Sequence, residues 1–258
     1  MRERPTVVMV HGGPGIDHSP FKQPIFSPLT EITQVIYYDQ RGHGRSDRGN
    51  PSDWNLDTWA DDVRRLCDAV GVPHPIVFGG SFGGFVALNY AQRHPDHPRK
   101  LILSSTAART NPDRMCRMFE QLGGPEVRAV AERFLTDPTR ENQDEYERVC
   151  LPHYTQRPGD PDVRARIERR QEVTEHFIRG EGLRFDLTGG LDRIKCPTLV
   201  MAGELDPAVP VDDARDLANA LPRERTRFKS FAGAGHMLAF EQPEAVMNVV
   251  TEFVLDDL

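Results

Sequence analysis

The sequence feature that most constrains the fold is a glycine-flanked serine between a strand and a helix. Residues 76–78 are the apolar run Ile-Val-Phe, residues 79–83 read Gly-Gly-Ser-Phe-Gly, and helix-forming residues follow at 85–93. In this context G-x-S-x-G predicts a sharp strand–turn–helix elbow that lifts the Ser81 hydroxyl off the sheet. Only small residues fit beside such a strained position, and a helix N-terminus favours developing negative charge. Alone, the motif also fits a glycine-rich turn with an incidental serine.

Two further residues complete a candidate catalytic set in the chain order Ser, Asp, His. A buried β-branched strand is predicted at 197–202, and Asp206 follows at its carboxyl end. In open α/β sheets, ligands bind at the carboxyl ends of the strands. His236 lies just past the next predicted strand, 226–231. His236 would accept the Ser81 proton, and Asp206 would hold the imidazole in the right tautomer. Separately, Asp206 could cap a helix and His236 could be a loop histidine, but their conjunction favours nucleophilic catalysis.

A glycine-rich loop is predicted to stabilise negative charge beside this set. Residues 5–10 predict a strand, and His-Gly-Gly-Pro-Gly follows at 11–15. We interpret this as an oxyanion loop, in which the backbone N–H groups of Gly13 and Phe82 hold the oxyanion of a tetrahedral intermediate. Gly12 is expected to contact the substrate, since glycine lets the backbone approach closely. A phosphate-binding loop is excluded, because the sequence has no G-x-x-x-x-G-K-[ST].

Strands and helices alternate through the first hundred residues, which predicts an α/β fold with a mostly parallel sheet and helices on both faces. We expect this core over 1–106 and 191–258. The stretch 107–190 is charged and helix-rich, with one continuous helix expected at 162–178. Because long insertions in compact domains are usually functional, we interpret 107–190 as a helical cap over the catalytic end, with an ordinary surface insertion as the alternative.

The composition of the chain limits which classes of binding partner are expected. The chain has 258 residues, a net charge of −7 and an isoelectric point near 5.7, which argue against nucleic acid and anionic membranes. The sequence contains no membrane-spanning apolar stretch and no visible signal peptide. Its four cysteines lack metal-site spacing and read as free thiols in a reducing compartment, so a cytoplasmic location is expected. We expect a small-molecule or short-peptide substrate, no metal and no cofactor.

These motifs together resemble the α/β-hydrolase family, and within it the prolyl iminopeptidases. Three stretches carry the closer likeness: residues 11–15, the sequence Tyr-Asp-Gln-Arg-Gly-His-Gly-Arg-Ser at 38–46, and residues 79–84. The resemblance implies an α/β-hydrolase fold and release of N-terminal proline from peptides through an acyl-enzyme. A carboxylesterase or lactonase with the same triad stays open, whereas the intact catalytic set argues against a non-enzymatic binding module.

The resemblance also implies a carboxylate in the cap that binds the free amine of the substrate. In the family a glutamate lies just upstream of a His–aromatic pair, and here Glu175 precedes His176 and Phe177. Glu175 is therefore the candidate substrate-binding acid, with Glu172 and Glu204 as weaker candidates. The alternative is that Glu175 is one of many glutamates on solvated helix faces.

The family has an antiparallel hairpin before the first of these strands, and we expect that hairpin to be missing from this chain. Without it, the apolar, uncharged strand expected at 34–38 would lie at the edge of the sheet, where exposed strands usually carry protective residues. We expect that the natural chain starts further upstream, or that a local segment or a second copy in a homo-oligomer covers this edge.

Overall fold

A six-stranded parallel sheet forms the centre of the molecule in a computed structural model that describes residues 4–157 and 159–256. In chain order its strands are β1 (Thr6–Val10), β2 (Gln34–Tyr37), β3 (Ile76–Gly80), β4 (Lys100–Ser104), β5 (Thr198–Gly203) and β6 (Thr226–Phe231). They lie side by side in the order β2-β1-β3-β4-β5-β6, and every neighbouring pair is parallel. The predicted parallel sheet is thus confirmed.

Helices connect these strands. They are α1 (Ser27–Ile32), α2 (Leu56–Ala69), α3 (Phe82–Arg93), α4 (Pro112–Gly123), α5 (Pro125–Thr136), α6 (Arg140–Val149), α7 (Pro161–Arg166), α8 (Gln171–Phe177), α9 (Val211–Ala220), α10 (Leu238–Glu241) and α11 (Pro243–Leu255). Short 3₁₀ turns lie at Ser19–Phe21, Pro24–Phe26, Pro51–Asp53, Leu151–Tyr154, Thr188–Arg193 and Arg223–Arg225, and a π-helical turn, Ile178–Gly182, continues α8.

The central strands β1, β3 and β5 are buried on both faces because they are apolar or glycine at nearly every position. Along β1, Val8 and Val10 pack into one buried cluster, which includes residues of α2, α3 and α9. Val7 and Met9 pack into a second cluster, with α1 and α11. Since side chains alternate across a strand, this division places helices on both faces of the sheet, as predicted.

The helices α4 to α8 all lie between β4 and β5, within the stretch 107–190. Part of this stretch has its own apolar cluster, which includes Phe119, Phe134 and Tyr146. The expectation of one helix over 162–178 is wrong: α7 ends at Arg166 and α8 begins at Gln171. The chain leaves the helix because the Arg170 N–H donates to the Gly15 carbonyl at 2.7 Å, a tertiary bond in place of a helical one.

The strand β2 lies at the edge of the sheet and, within the described residues, pairs only with β1. Its residues 35–37 are half-buried and Gln34 is exposed. Cover of this edge by a second copy stays a prediction. In the described part of the chain, no helix is both long enough and apolar enough to cross a membrane.

Candidate active site

The elbow around Ser81 joins β3 directly to α3. Ser81 has φ 53° and ψ −123°, a conformation that a residue with a side chain rarely adopts. Its N–H donates to the Ser104 carbonyl at 2.9 Å, and its carbonyl accepts from the Thr106 hydroxyl at 3.0 Å. These bonds to the end of β4 and beyond hold the strained turn, so that Ser81 stands at the carboxyl edge of the sheet.

Gly83 lets the elbow helix approach the loop that follows β1. A Cβ at position 83 would lie 2.1 Å from the Val10 carbonyl oxygen and 2.5 Å from that of His11. Both are backbone atoms, which cannot rotate away as a flexible side chain could. The requirement for glycine at position 83 is therefore steric, since it allows the loop at 11–15 to lie against the elbow that carries Ser81.

Asp206, His236 and Ser81 form one chain of hydrogen bonds. His236 Nε2 lies 2.9 Å from Ser81 Oγ, and His236 Nδ1 lies 2.7 Å from Asp206 Oδ2. Asp206 is fully buried and His236 is 8% exposed. With Nδ1–H donating to the carboxylate, Nε2 is left to accept the serine proton.

Asp206 is held by the loop in which it lies, not by the next helix. Its Oδ1 accepts from the N–H groups of Ala208 and Val209, both at 2.9 Å. The helix α9 begins later, at Val211, and its N-cap residue is Pro210. The alternative role of Asp206 as a helix cap is therefore not what the geometry shows, and its second oxygen is left for His236.

The oxyanion loop lies against the elbow. A Cβ on Gly12 would be 3.1 Å from the Gly80 carbonyl oxygen and 3.4 Å from Ser81 Cβ. Gly13, whose φ is +126°, lines the same cavity as Ser81 and His236. Phe82 is the first residue of α3, so its N–H has no acceptor within the helix. The predicted oxyanion donors thus belong to two segments that meet at Ser81.

A buried histidine ties the oxyanion loop to the loop after β2. His11 Nε2 accepts from the Gln40 N–H at 3.0 Å, which leaves Nδ1–H to donate to the Gly12 carbonyl at 2.8 Å. Burial lowers the pKa of His11 to about 4, so the ring is neutral at neutral pH. Sequence reasoning missed this role, although both motifs, at 11–15 and 38–46, had been singled out.

The Phe82 side chain turns into the core, away from the cavity. It is 1% exposed, its ring stacks on His43 at 5.6 Å, and it meets Trp59 and Phe177 edge-on at 5.1 and 5.0 Å. Burial lowers the pKa of His43 to about 3, so this ring too is neutral. The Phe82 ring therefore packs beneath the elbow in the core and does not line the cavity.

A cavity of about 280 Å³ lies above Ser81 and His236, with walls largely from the stretch 107–190. Apolar side chains there include Met115, Phe134, Leu135, Ile178 and Leu183, and polar ones include Gln143, Tyr146, Glu147, Tyr154, Arg169, Gln171 and Thr174. The oxyanion loop is linked to this wall, because the Thr174 hydroxyl donates to the Pro14 carbonyl at 2.9 Å. A substrate at Ser81 would therefore touch the inserted helices.

Glu175 is not among the residues that line this cavity. Its Oε1 accepts from Arg140 Nη1 at 2.9 Å, in an ion pair between α8 and α6. The weaker candidates are also engaged elsewhere, since Glu172 pairs with Arg48 at 3.2 Å and Glu204 accepts from Ser230 Oγ at 2.9 Å.

Two other carboxylates line the cavity instead. Asp213 is buried, which raises its pKa, and it pairs with Arg114 at 2.6 Å. Glu147, on α6, accepts from Gln143 Nε2 at 3.1 Å and is exposed. No sequence signal distinguished Glu147 from the other glutamates of this helix-rich stretch.

Cys67, Cys116, Cys150 and Cys196 are buried and unpaired with one another. Over residues 4–157 and 159–256, no three or more His, Cys, Asp or Glu side chains are grouped so as to hold a metal ion.

Comparisons with known proteins agree with this architecture. A family model described as the alpha/beta hydrolase fold matches residues 5–243. The proline iminopeptidase of Neisseria gonorrhoeae is 27% identical over 286 positions, covering 96% of this chain and 88% of the relative. The proline iminopeptidase structure from Mycobacterium smegmatis has a TM-score of 0.80 at 24% identity, covering 98% of this chain and 91% of that one. A thermophilic esterase from Thermogutta terrifontis has a TM-score of 0.69 at 27% identity, covering 98% and 90%. The matches confirm the predicted fold and the likeness to prolyl iminopeptidases.

Proposed function

The chain belongs to the alpha/beta hydrolase family, and from this premise we propose that it is a serine hydrolase with Ser81 as nucleophile, His236 as base and Asp206 as the acid that orients the base. The observation that carries this proposal is the continuous hydrogen-bonded path from Asp206 through His236 to the Ser81 hydroxyl. Asp206 accepts the Nδ1–H of His236, and Nε2 of His236 is then free to accept the proton of the Ser81 hydroxyl.

The reaction would proceed in two halves. Ser81 Oγ attacks the carbonyl carbon of the substrate while His236 Nε2 takes its proton, and the buried carboxylate of Asp206 stabilises the imidazolium. The tetrahedral oxyanion would be bound by the N–H groups of Gly13 and Phe82, each such donor contributing about 2.7–4 kcal/mol to the barrier reduction. His236 then protonates the leaving group. Water attacks the acyl-enzyme by the same steps in the second half.

For the substrate we propose a peptide with an N-terminal proline. Support comes from the oxyanion loop at 11–15 and the loop at 38–46, which His11 joins through Gln40, and from the iminopeptidase relative. The stretch 107–190 would act as a cap whose walls receive the residue on the acyl side. Of the two carboxylates on the cavity wall, Glu147 has no cationic partner among the described residues, so we assign the free amine of the substrate to Glu147.

The second candidate is a carboxylesterase or lactonase with the same triad. The observation that favours it is the ion pair of Glu175 with Arg140, which removes the carboxylate expected from the iminopeptidase pattern. The cavity then offers apolar side chains such as Phe134, Leu135 and Ile178 to a neutral acyl group. The similarity to the Thermogutta terrifontis esterase fits this alternative equally well.

A parallel assay with proline β-naphthylamide and p-nitrophenyl acetate separates these functions. Efficient hydrolysis of the proline amide, and little of an N-blocked proline amide, supports the iminopeptidase. Rapid ester cleavage with no amide hydrolysis assigns the protein to the esterases or lactonases. If neither substrate reacts and a fluorophosphonate does not label Ser81, the serine hydrolase proposal fails.

A further inference from the structure

The loop that carries His236 is held on both sides by one buried carboxylate. Glu241, at the end of α10, is 2% exposed. Both of its oxygens lie within 3.2 Å of the Gly235 nitrogen, and Oε1 also accepts from the Met237 N–H at 3.2 Å. The residues immediately before and after the catalytic base thus donate to the same carboxylate.

The same carboxylate also binds the inserted segment. Glu241 Oε2 accepts from the Gln156 N–H at 2.9 Å. Two residues earlier, the Tyr154 carbonyl accepts from the His236 N–H at 2.6 Å, and the Tyr154 ring lies 5.1 Å from the imidazole. Since Tyr154 lines the cavity and its hydroxyl lies 2.8 Å from that of Tyr146, the segment is a wall of the substrate site.

No ion pair in the described part of the chain includes Glu241, so its charge is offset by backbone N–H groups alone. Charge-assisted bonds from backbone N–H groups are stronger than neutral ones, and a buried carboxylate without them would be costly. All three donors belong either to the loop around His236 or to residue 156 of the inserted segment. A carboxylate that only stabilised α10 would have no need to contact both.

We infer that Glu241 is a positioning residue that sets His236 against Ser81 and, through Gln156, fixes the adjoining cavity wall to the same loop. The inference rests on the proposed serine hydrolase function. Its two halves are separable. The donors beside His236 affect the chemical step with every substrate, whereas the Gln156 donor affects only substrates that reach the Tyr154 wall.

Two variants test these halves. Glu241→Gln keeps the shape of the side chain but replaces one carboxylate oxygen with an NH₂ group. That group cannot accept from the backbone N–H donors around it, so we expect the loop that carries His236 to be displaced. Small misplacements of catalytic groups cost up to about a hundredfold, so we expect kcat to fall about tenfold to a hundredfold on both p-nitrophenyl acetate and proline β-naphthylamide. KM for the acetate should change little, whereas KM for the amide should rise severalfold, because Glu241 also accepts from Gln156. Glu244→Gln, an exposed neighbour on α11, is the matched control and should behave like the wild type.

Gln156→Pro removes the N–H that reaches Glu241 together with the glutamine side chain. Gln156→Ala, which loses the side chain and keeps the N–H, is its control and should behave like the wild type. Thr155 already has φ −135° and ψ 144°, the extended conformation that a residue before proline prefers. For Gln156→Pro we expect a severalfold higher KM for the larger substrate, proline β-naphthylamide, and a kcat on p-nitrophenyl acetate close to that of the wild type. This variant keeps the inference testable even if Glu241→Gln does not fold.

The inference is overturned if folded Glu241→Gln retains wild-type kcat, or if Gln156→Pro changes neither KM nor kcat. Failure of the proposed function would look different: wild-type protein would then not be labelled at Ser81 by a fluorophosphonate, and the comparison of variants would have no activity to measure.

Discussion

His236 Nε2 lies 2.9 Å from Ser81 Oγ, although the two residues are 155 positions apart in the chain. The contact arises because both residues follow strands of one parallel sheet, whose carboxyl ends share an edge. We expect Ser81→Ala to reduce turnover of any substrate to below about 1% of the wild-type rate, since the hydroxyl that it removes is the one hydrogen-bonded to His236 Nε2.

The substitution keeps the Cβ that the strained backbone already accommodates, so urea unfolding should be unchanged within about 0.5 kcal/mol. A folded Ser81→Ala protein that retained a substantial fraction of its activity would remove Ser81 as the nucleophile.

Asp206→Asn tests the orientation of the base. The amide oxygen can still accept from Ala208 and Val209, but its NH₂ group cannot accept from His236 Nδ1–H. The imidazole then favours the other tautomer, with the proton on Nε2. We expect kcat to fall by about 10⁴, as for the same exchange in a serine protease triad, with a much smaller change in KM. A loss below tenfold would contradict the assigned role.

Gly83→Ala tests the close approach of the elbow helix to the oxyanion loop. The new Cβ would overlap the backbone oxygens of Val10 and His11, and overpacking of this kind costs about 3 kcal/mol or more where nothing can rotate away. Gly180→Ala is the control, because a Cβ there meets nothing within 4 Å. Urea unfolding should separate the two variants, and equal stability would show that the elbow tolerates a side chain at position 83.

The choice between Glu147 and Glu175 as the amine-binding carboxylate can be decided kinetically. A hydrogen bond to a charged group is worth about 1.5–3 kcal/mol, so Glu147→Gln should raise KM for proline β-naphthylamide at least tenfold and leave p-nitrophenyl acetate unaffected. Glu175→Gln should leave both KM values unchanged, because it breaks only a partly exposed pair with Arg140. The reverse result would restore Glu175 as the anchor and remove Glu147.

His43 makes the stability of the fold sensitive to acid. Its pKa is about 3 in the folded protein and near 6.5 when unfolded. Below pH 6.5 the unfolded state therefore binds a proton that the folded state does not, so this contribution to stability is complete above 6.5 and is lost progressively as the pH falls toward 3. Between pH 7.5 and 5 the loss is about 2 kcal/mol.

His43→Phe removes this titration. The Arg41 carbonyl, to which His43 Nδ1 donates at 2.9 Å, keeps the Trp59 Nε1–H as a donor. We expect a cost of about 1 kcal/mol at pH 7.5 from the lost hydrogen bond. The difference in unfolding free energy between pH 7.5 and pH 5, measured with urea, should be about 2 kcal/mol smaller than in the wild type. An unchanged difference would show that His43 is not the acid-sensitive group.

Much of the fold could be predicted from the sequence alone. The strands predicted at 5–10, 34–38, 76–78, 197–202 and 226–231 agree with the observed strands within a few residues, because apolar periodicity and glycine-bounded turns are properties of short segments. The candidate triad could be named for a similar reason, since each member directly follows a strand and the ends of parallel strands share one edge. Sequence and elementary topology therefore determined which residues are candidates, and in which order they occur.

Only the tertiary structure decided which side chains meet. Glu147 and Glu175 both lie in a charged, helix-rich stretch, and the packing of α6 and α8 alone turns one toward the cavity and the other toward Arg140. The helix expected at 162–178 is interrupted because Arg170 bonds to Gly15, a partner that no local pattern reveals. Glu241 likewise has no distinctive sequence signal. Its role depends on the contact with the Gln156 N–H, which exists only in the folded protein. The physical reason is the same in each case: local periodicity encodes the type of an element, whereas hydrogen bonds between distant segments depend on how the elements pack.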